Sequence, residues 1–214
     1  FFARKFPKQN GGEDDMEDRI NQYGFSRRSK SKKKQTFKIG KSVRTLDDLT
    51  PELPTKNDSY RAISYQGGFA SISFIASVAS KENIEELTAS TLRVGKKQLR
   101  HLQKLQQIGK LKQARFVIGS IMKENKSTGH KYDYYNDFQT VCRDNNWDYV
   151  VVNNHSKIIL MRTDDNYYVV ETSSNLNENP KIEQFTFEND KKLYDFYYSV
   201  YSELFEGRDN HGET

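Results

Sequence analysis

Five side chains within residues 155–183 (HSKIILMRTDDNYYVVETSSNLNENPKIE) have the types and spacing to act on a phosphate ester: His155, Lys157, Ser173, Asn175 and Glu183. A neutral imidazole at His155 can attack phosphorus and give a phosphohistidine, which divides one difficult displacement into two easier ones. Lys157 would hold a non-bridging phosphate oxygen, the Asn175 amide would donate to another, and Ser173 adds a further donor; all three stabilise charge that grows in the transition state. Glu183 would orient and electrostatically activate a histidine, as the carboxylate of a Ser-His-Asp triad does. This chemistry calls for no cofactor and no metal, and the one cysteine and four histidines show no zinc-binding spacing.

The elements that must position these groups follow from periodicity. As a strand, His155–Met161 places His155, Lys157 and Ile159 on one face and Ser156, Ile158 and Leu160 on the other, one chemical and one core. An Asp164-Asp165-Asn166 turn then returns Tyr167–Glu171 as the hairpin partner and delivers Ser173 and Asn175 near the His/Lys pair. Upstream, 69–80 reads as a helix, 87–94 as a strand, and Lys96–Ile108 as a helix with Leu99, Leu102, Leu105 and Ile108 on one face and Gly109 as its stop. Ala114–Met122 and Tyr149–Val152 read as buried strands. Asp133–Asn145 reads as a helix that Asp133 can cap, and Asn189–Phe205 as a terminal amphipathic helix with Leu193, Phe196, Tyr197, Val200 and Leu204 on its apolar face. This order implies an α/β fold with a mixed sheet flanked by helices. Cys142 lies in an apolar helical pattern and reads as core rather than nucleophile.

Composition sets the remaining bounds. The chain has 214 residues, 29% of them charged, a mean hydropathy of -0.90, a net charge of +5 and a pI near 9.0. No apolar run approaches the roughly 18 residues of a spanning helix, and Phe1-Phe2 opens no signal-peptide pattern. A single cysteine excludes an internal disulfide and suits a reducing, cytoplasmic setting. Residues 1–58 hold an acidic cluster at Glu13–Asp18, the basic run Arg27–Lys34 and the close pair Pro51 and Pro54, and read as a largely extended or disordered arm with short ordered pieces such as Thr36–Ile39. Within the basic run, Arg27, Arg28, Lys30, Lys32, Lys33 and Lys34 can bind nucleic-acid phosphate by counterion release. Residues 59–206 form the folded domain and 207–214 a polar tail.

His155-Ser156-Lys157, then Ser173 and Asn175, then Glu183, resembles the phospholipase D superfamily, whose pattern is His-x-Lys, Gly-Ser-x-Asn and often a downstream acid. The segments from Phe69 onward are similar to one half-domain of that superfamily, with a single copy of the motif. The texture of ETSSNLNENPKIEQF and LYDFYYSV resembles small single-motif members from phages and mobile elements. The resemblance implies a metal-independent phosphodiesterase, nuclease or DNA-processing in type, or a member of the fold that has lost turnover and binds nucleic acid or serves assembly. It also implies a homodimer, because a second histidine must protonate the leaving oxygen and would come from another subunit. DNA is preferred to RNA as partner, and phospholipid is disfavoured by the basic charge. Two positions depart from the pattern: Thr172 stands where the superfamily has glycine, and Arg162 where it often has Asp, with Asp164 and Asp165 displaced into the turn.

Overall fold

The computed structural model describes residues 34–41, 52–65, 70–124, 134–177 and 182–207. They form β1 (Gln35–Lys41), β2 (Ser59–Tyr65), α1 (Ile72–Lys81), β3 (Ile84–Thr91), α2 (Lys96–Gln107), β4 (Leu111–Gly119), the single turn α3 (Ile121–Glu124), α4 (Tyr134–Asp144), β5 (Asp148–Val152), β6 (Ile158–Arg162), β7 (Tyr167–Thr172), β8 (Glu183–Asn189) and α5 (Lys191–Glu206). The strands make one eight-stranded sheet in the order β1-β2-β8-β7-β6-β3-β4-β5. β1/β2, β3/β4 and β4/β5 are parallel, and the intervening pairs are antiparallel. The mixed α/β fold expected from the pattern is therefore observed.

Helices cover both faces of the central strands. On one face Phe74, Ile75 and Val78 of α1, Leu99, Leu102 and Leu105 of α2, and Phe138 and Cys142 of α4 pack on Leu87, Phe116, Ile159, Met161 and Phe187. On the other, Tyr194, Tyr201 and Phe205 of α5 pack on Val117, Val150, Ile158, Leu160 and Val169. This corrects the expectation of one chemical and one core face for the His155 strand. β6 begins only at Ile158, and its successive side chains enter two different cores, which is why IILM is a continuous apolar run. Cys142 is fully buried, and burial pushes its thiol up to about 12, so it is core as expected.

Local chemistry explains most of the boundaries. In α2 the three leucines are buried as the 3.6-residue period requires, but Ile108 is 61% exposed. It occupies the C-cap, where the chain has already left helical geometry, and Gly109 follows at φ +75°, a conformation that favours glycine. Asp190 caps α5, its side chain accepting from the N–H groups of Lys192 and Leu193; Asn189, expected in that helix, ends β8 instead. The proposed cap Asp133 lies outside the described residues. Three strands were not read as such: β2 at Ser59–Tyr65 was not anticipated at all, β8 was missed, and β1 was foreseen only as a short ordered piece at Thr36–Ile39. β8 is buried on both sides, so Glu183 and Glu188 interrupt its apolar signal, and β1 lies within the stretch expected to be an extended arm.

α5 is fastened through Arg115, whose guanidinium lies 4.2 Å from the Tyr198 ring centroid and donates to Thr88 Oγ1 at 2.8 Å and Ser202 Oγ at 3.2 Å. Arg162, where the resemblance leads one to expect an acid, faces Glu86 at 3.6 Å, and Arg115 faces the same carboxylate at 3.4 Å. The β6–β7 turn is tied to the end of α1 by Glu82, which accepts from Thr163 Oγ1 (2.6 Å), Tyr168 OH (2.7 Å) and Asn166 Nδ2 (3.0 Å). Burial raises the Glu82 carboxyl, but the three donors outweigh it and hold the group below its ordinary value. A depressed carboxyl contributes stability that is present above its unfolded value and lost as pH falls through the folded one. Glu82→Gln should therefore cost about 1–2 kcal/mol at neutral pH, the lower part of the range for charged hydrogen bonds because the carboxylate is partly exposed. In thermal melts that difference should shrink as pH falls below the ordinary glutamate range and through the depressed folded value, where the wild-type carboxyl becomes protonated too.

Candidate active site

The groups singled out in the sequence sit where β3 ends, β6 begins and β7 ends. β6 is antiparallel to β3 (Ser90 opposite Ile158) and to β7 (Ile158 opposite Glu171), so residues 155–157 enter at the same sheet edge at which residues 91–94 and 172–176 leave. The edge is closed by a parallel bridge between Val94 and Leu176, by Leu176 N–H donating to Thr91 Oγ1 at 3.1 Å, and by Gly95 N–H donating to Leu176 O at 2.9 Å. Thr172 N–H donates to Lys157 O at 3.1 Å, which joins the motif's two halves through the backbone.

The alternation expected for a longer strand survives as parity, although residues 155–157 are not strand. Lys157 lies on the side of Ile159 and lines a small recess with Ser71, Ser90, Thr91, Thr172 and Ser174. Ser156 turns to the α5 side, where its Oγ is 3.3 Å from Tyr201 OH. The His155 side chain is exposed at the rim. Lys157 Nζ donates to His155 O at 2.8 Å and stands 3.4 Å from His155 Nδ1, which leaves Nε2 as the ring nitrogen directed away from this contact. Burial pushes the Lys157 ammonium below the ordinary lysine range, and the charge of nearby Glu183 only partly restores it.

Ser173 and Glu183 meet across β7 and β8. Ser173 Oγ donates to Glu183 Oε2 in a short contact and accepts from Gln184 N–H at 3.0 Å. Glu183 is 4% exposed and joins the cluster through Ser173 and its field at Lys157, whereas the sequence assigned it to a histidine. The Asn175 Oδ1 atom is buried without a hydrogen-bond partner, so this side chain is held by packing alone at its oxygen end. Of the basic run, Arg27, Arg28, Lys30, Lys32 and Lys33 lie outside the described residues; Lys34 is exposed, and its carbonyl accepts the Ser59 N–H at 3.0 Å. Among the described residues no group of three or more His, Cys, Asp or Glu side chains is placed to hold a metal ion, and no helix is long and apolar enough to cross a membrane.

Thr172, in place of the pattern's glycine, is accommodated without backbone strain. The positive-φ non-glycine residues among those described are Asn57 and Asn146. Its Oγ1 accepts from Ser174 N–H at 2.9 Å, a local turn that glycine cannot make. Sequence reasoning passed over the Ser71, Ser90 and Ser174 hydroxyls and the Asn154 amide. Of these, only Asn154 carried a readable signal, as an Asn-Asn pair directly before the histidine with the local hydrogen-bonding habit of that residue type.

No protein-family model and no curated protein matches the chain. Solved structures do resemble it. Polyphosphate kinase from Porphyromonas gingivalis aligns at a TM-score of 0.52 and 13% identity over 72% of this chain and 26% of its own, so this chain spans about a quarter of the kinase. The likeness is one of fold. Also similar are Nuc, a phospholipase D family member from Salmonella typhimurium (TM-score 0.48, 12% identity, 69% of this chain and 95% of that one), and phosphatidylserine synthase from Haemophilus influenzae Rd KW20 (0.42, 13%, 68% and 37%).

The state of Lys157 separates function from stability. A base whose folded pKa lies below its unfolded one destabilises the fold while charged, and the penalty disappears as pH rises above the unfolded value. Lys157→Met should therefore melt at or above the wild-type temperature at neutral pH while anion binding at the edge is lost. Calorimetry of the two proteins, with and without inorganic phosphate, checks both halves.

Proposed function

We propose that the chain is a phosphodiesterase of the phospholipase D type, a nuclease or DNA-processing protein that works through a phosphohistidine and needs no metal. The observation that carries this reading is the Lys157 ammonium beside the His155 ring, at the edge of a small, largely apolar recess where both motif halves converge. A phosphate diester entering there would draw the ammonium to a non-bridging oxygen. His155 Nδ1 would then be free to hold the ring proton, and the Nε2 lone pair would be available to attack phosphorus. The N–P bond forms as the P–O bond to the leaving group breaks, and the leaving oxygen takes its proton from a general acid. That acid would be His155 of a second copy, so the active species would be a homodimer; water then attacks phosphorus, releases the histidine and completes hydrolysis. Ser173, Asn175 and the buried Glu183 would order the loop beside the phosphate, and the basic run Arg27–Lys34 would hold the nucleic-acid backbone.

A second reading is favoured by Thr172, whose side chain lines the recess where the superfamily pattern has none. On it the protein binds nucleic acid, or serves assembly in a phage or mobile element, without turnover.

Cleavage of single- and double-stranded DNA and RNA in EDTA decides between them. The wild type should cut, and His155→Ala should be slower by about 10³-fold or more, as for loss of a covalent nucleophile. Binding without cleavage by either protein would sink the enzymatic reading. Sedimentation should give a dimer, and a strict monomer that still cleaves would refute the second-copy acid.

A further inference from the structure

The loop that carries His155 is held chiefly by one side chain. Residues 153–157 lie between β5 and β6 without strand structure of their own, so the ladder fixing those strands stops on either side of the histidine. Asn154 takes over. The two hydrogens of its Nδ2 go to Val117 O at 2.9 Å and Ser90 Oγ at 3.0 Å, with Thr91 O at 3.3 Å sharing one of them, while its Oδ1 accepts from Ser156 Oγ at 2.7 Å and Ser156 N–H at 2.8 Å. The donor end thus spans the ends of β3 and β4, and the acceptor end turns back onto the residue after His155; the hydrogen-bonding capacity of the carboxamide is fully used. Ser156 Oγ extends the clamp to Ser90 Oγ at 2.6 Å and toward α5 through Tyr201 OH. The backbone is seated as closely: a Cβ on Gly119 would fall 2.8 Å from Asn154 O and 2.7 Å from Leu92 Cδ1.

We infer that Asn154 is the positioning residue of this site, an amide clamp that fixes the main chain on both sides of His155 and thereby the direction of its ring. The exposed imidazole has only the Lys157 ammonium against its ring, so its direction follows from how its main chain is held, and a misplacement of about 1 Å can cost about 10²-fold in rate. The kinetic part of the inference rests on His155 being the nucleophile, whereas the geometric part does not.

The test uses Asn154→Ala, the milder Ser156→Ala, which removes one arm of the clamp, and Gly119→Ala, which displaces the same loop from its backbone side. Two independent measurements are made: kcat and KM for diester cleavage, and the state of His155 itself, from its imidazole NMR resonances and its rate of diethyl pyrocarbonate modification resolved by mass spectrometry, with His101 on α2 as internal reference. Asn154→Ala should lower kcat about 10²-fold with KM within about twofold of wild type, Ser156→Ala less so. All three variants should alter the His155 resonances and reactivity while leaving His101 unchanged. Unchanged His155 resonances and reactivity in folded Asn154→Ala would overturn the inference, as would His155 and His101 changing together in step with a lowered melting temperature. If no protein, wild type included, cleaves any diester, the nuclease reading falls, and the resonance and reactivity measurements still decide the role of Asn154.

Discussion

Burial of the central strands on both faces governs where this protein can place chemistry. β3, β6 and β7 send alternate side chains into two cores, one beneath α1, α2 and α4 and one beneath α5, and a charged group placed there needs a partner to offset its desolvation, as Glu86 supplies for Arg115 and Arg162. Polar function is left to the strand ends. Because β6 runs antiparallel to β3 and to β7, one edge gathers the start of β6 with the ends of its two neighbours, and parallel β4 adds its own end beside them. Residues far apart in sequence, Thr91, Asn154, Lys157 and Ser174, meet there because strand direction and register leave them no other place.

The same constraint explains what the sequence could and could not disclose. Long elements with one buried face were legible in part: the leucines of α2 and the hairpin of β6 and β7 follow a period that can be counted, whereas α5 was legible as a helix but not by face, because it buries Tyr194, Tyr201 and Phe205 and leaves the expected Phe196, Val200 and Leu204 exposed. β8 was not legible, since both of its faces are covered and its buried glutamates look like solvent positions in a linear reading. The His155 segment was half legible. Alternation assigned Lys157 and Ser156 to opposite sides correctly, but extended the strand three residues too far, because it cannot register that Asn154 supplies from a side chain the hydrogen bonds a ladder would otherwise supply. Glu183 was expected beside a histidine, yet its hydrogen-bond partner is Ser173, chosen by the β7–β8 pairing.

The two departures from the superfamily pattern have different physical weight. Arg162 has been absorbed by the fold: with Arg115 it shares Glu86 on the α5 side of the sheet, away from the recess that Lys157 lines. An acid in its place would set two carboxylates against one another across β3 and β6, so the exchange is explained locally and leaves His155 untouched. Thr172 is different, because its side chain stands in the recess itself and closes a turn onto Ser174. The recess is too small to admit a ligand, so a phosphate would have to meet Lys157 from its rim. The ammonium already reaches out of the recess to the backbone carbonyl and ring of an exposed histidine, so a diester can meet both groups at the rim without passing Thr172. In this geometry Thr172 stands clear of the exposed His155 ring and of the ammonium that meets it.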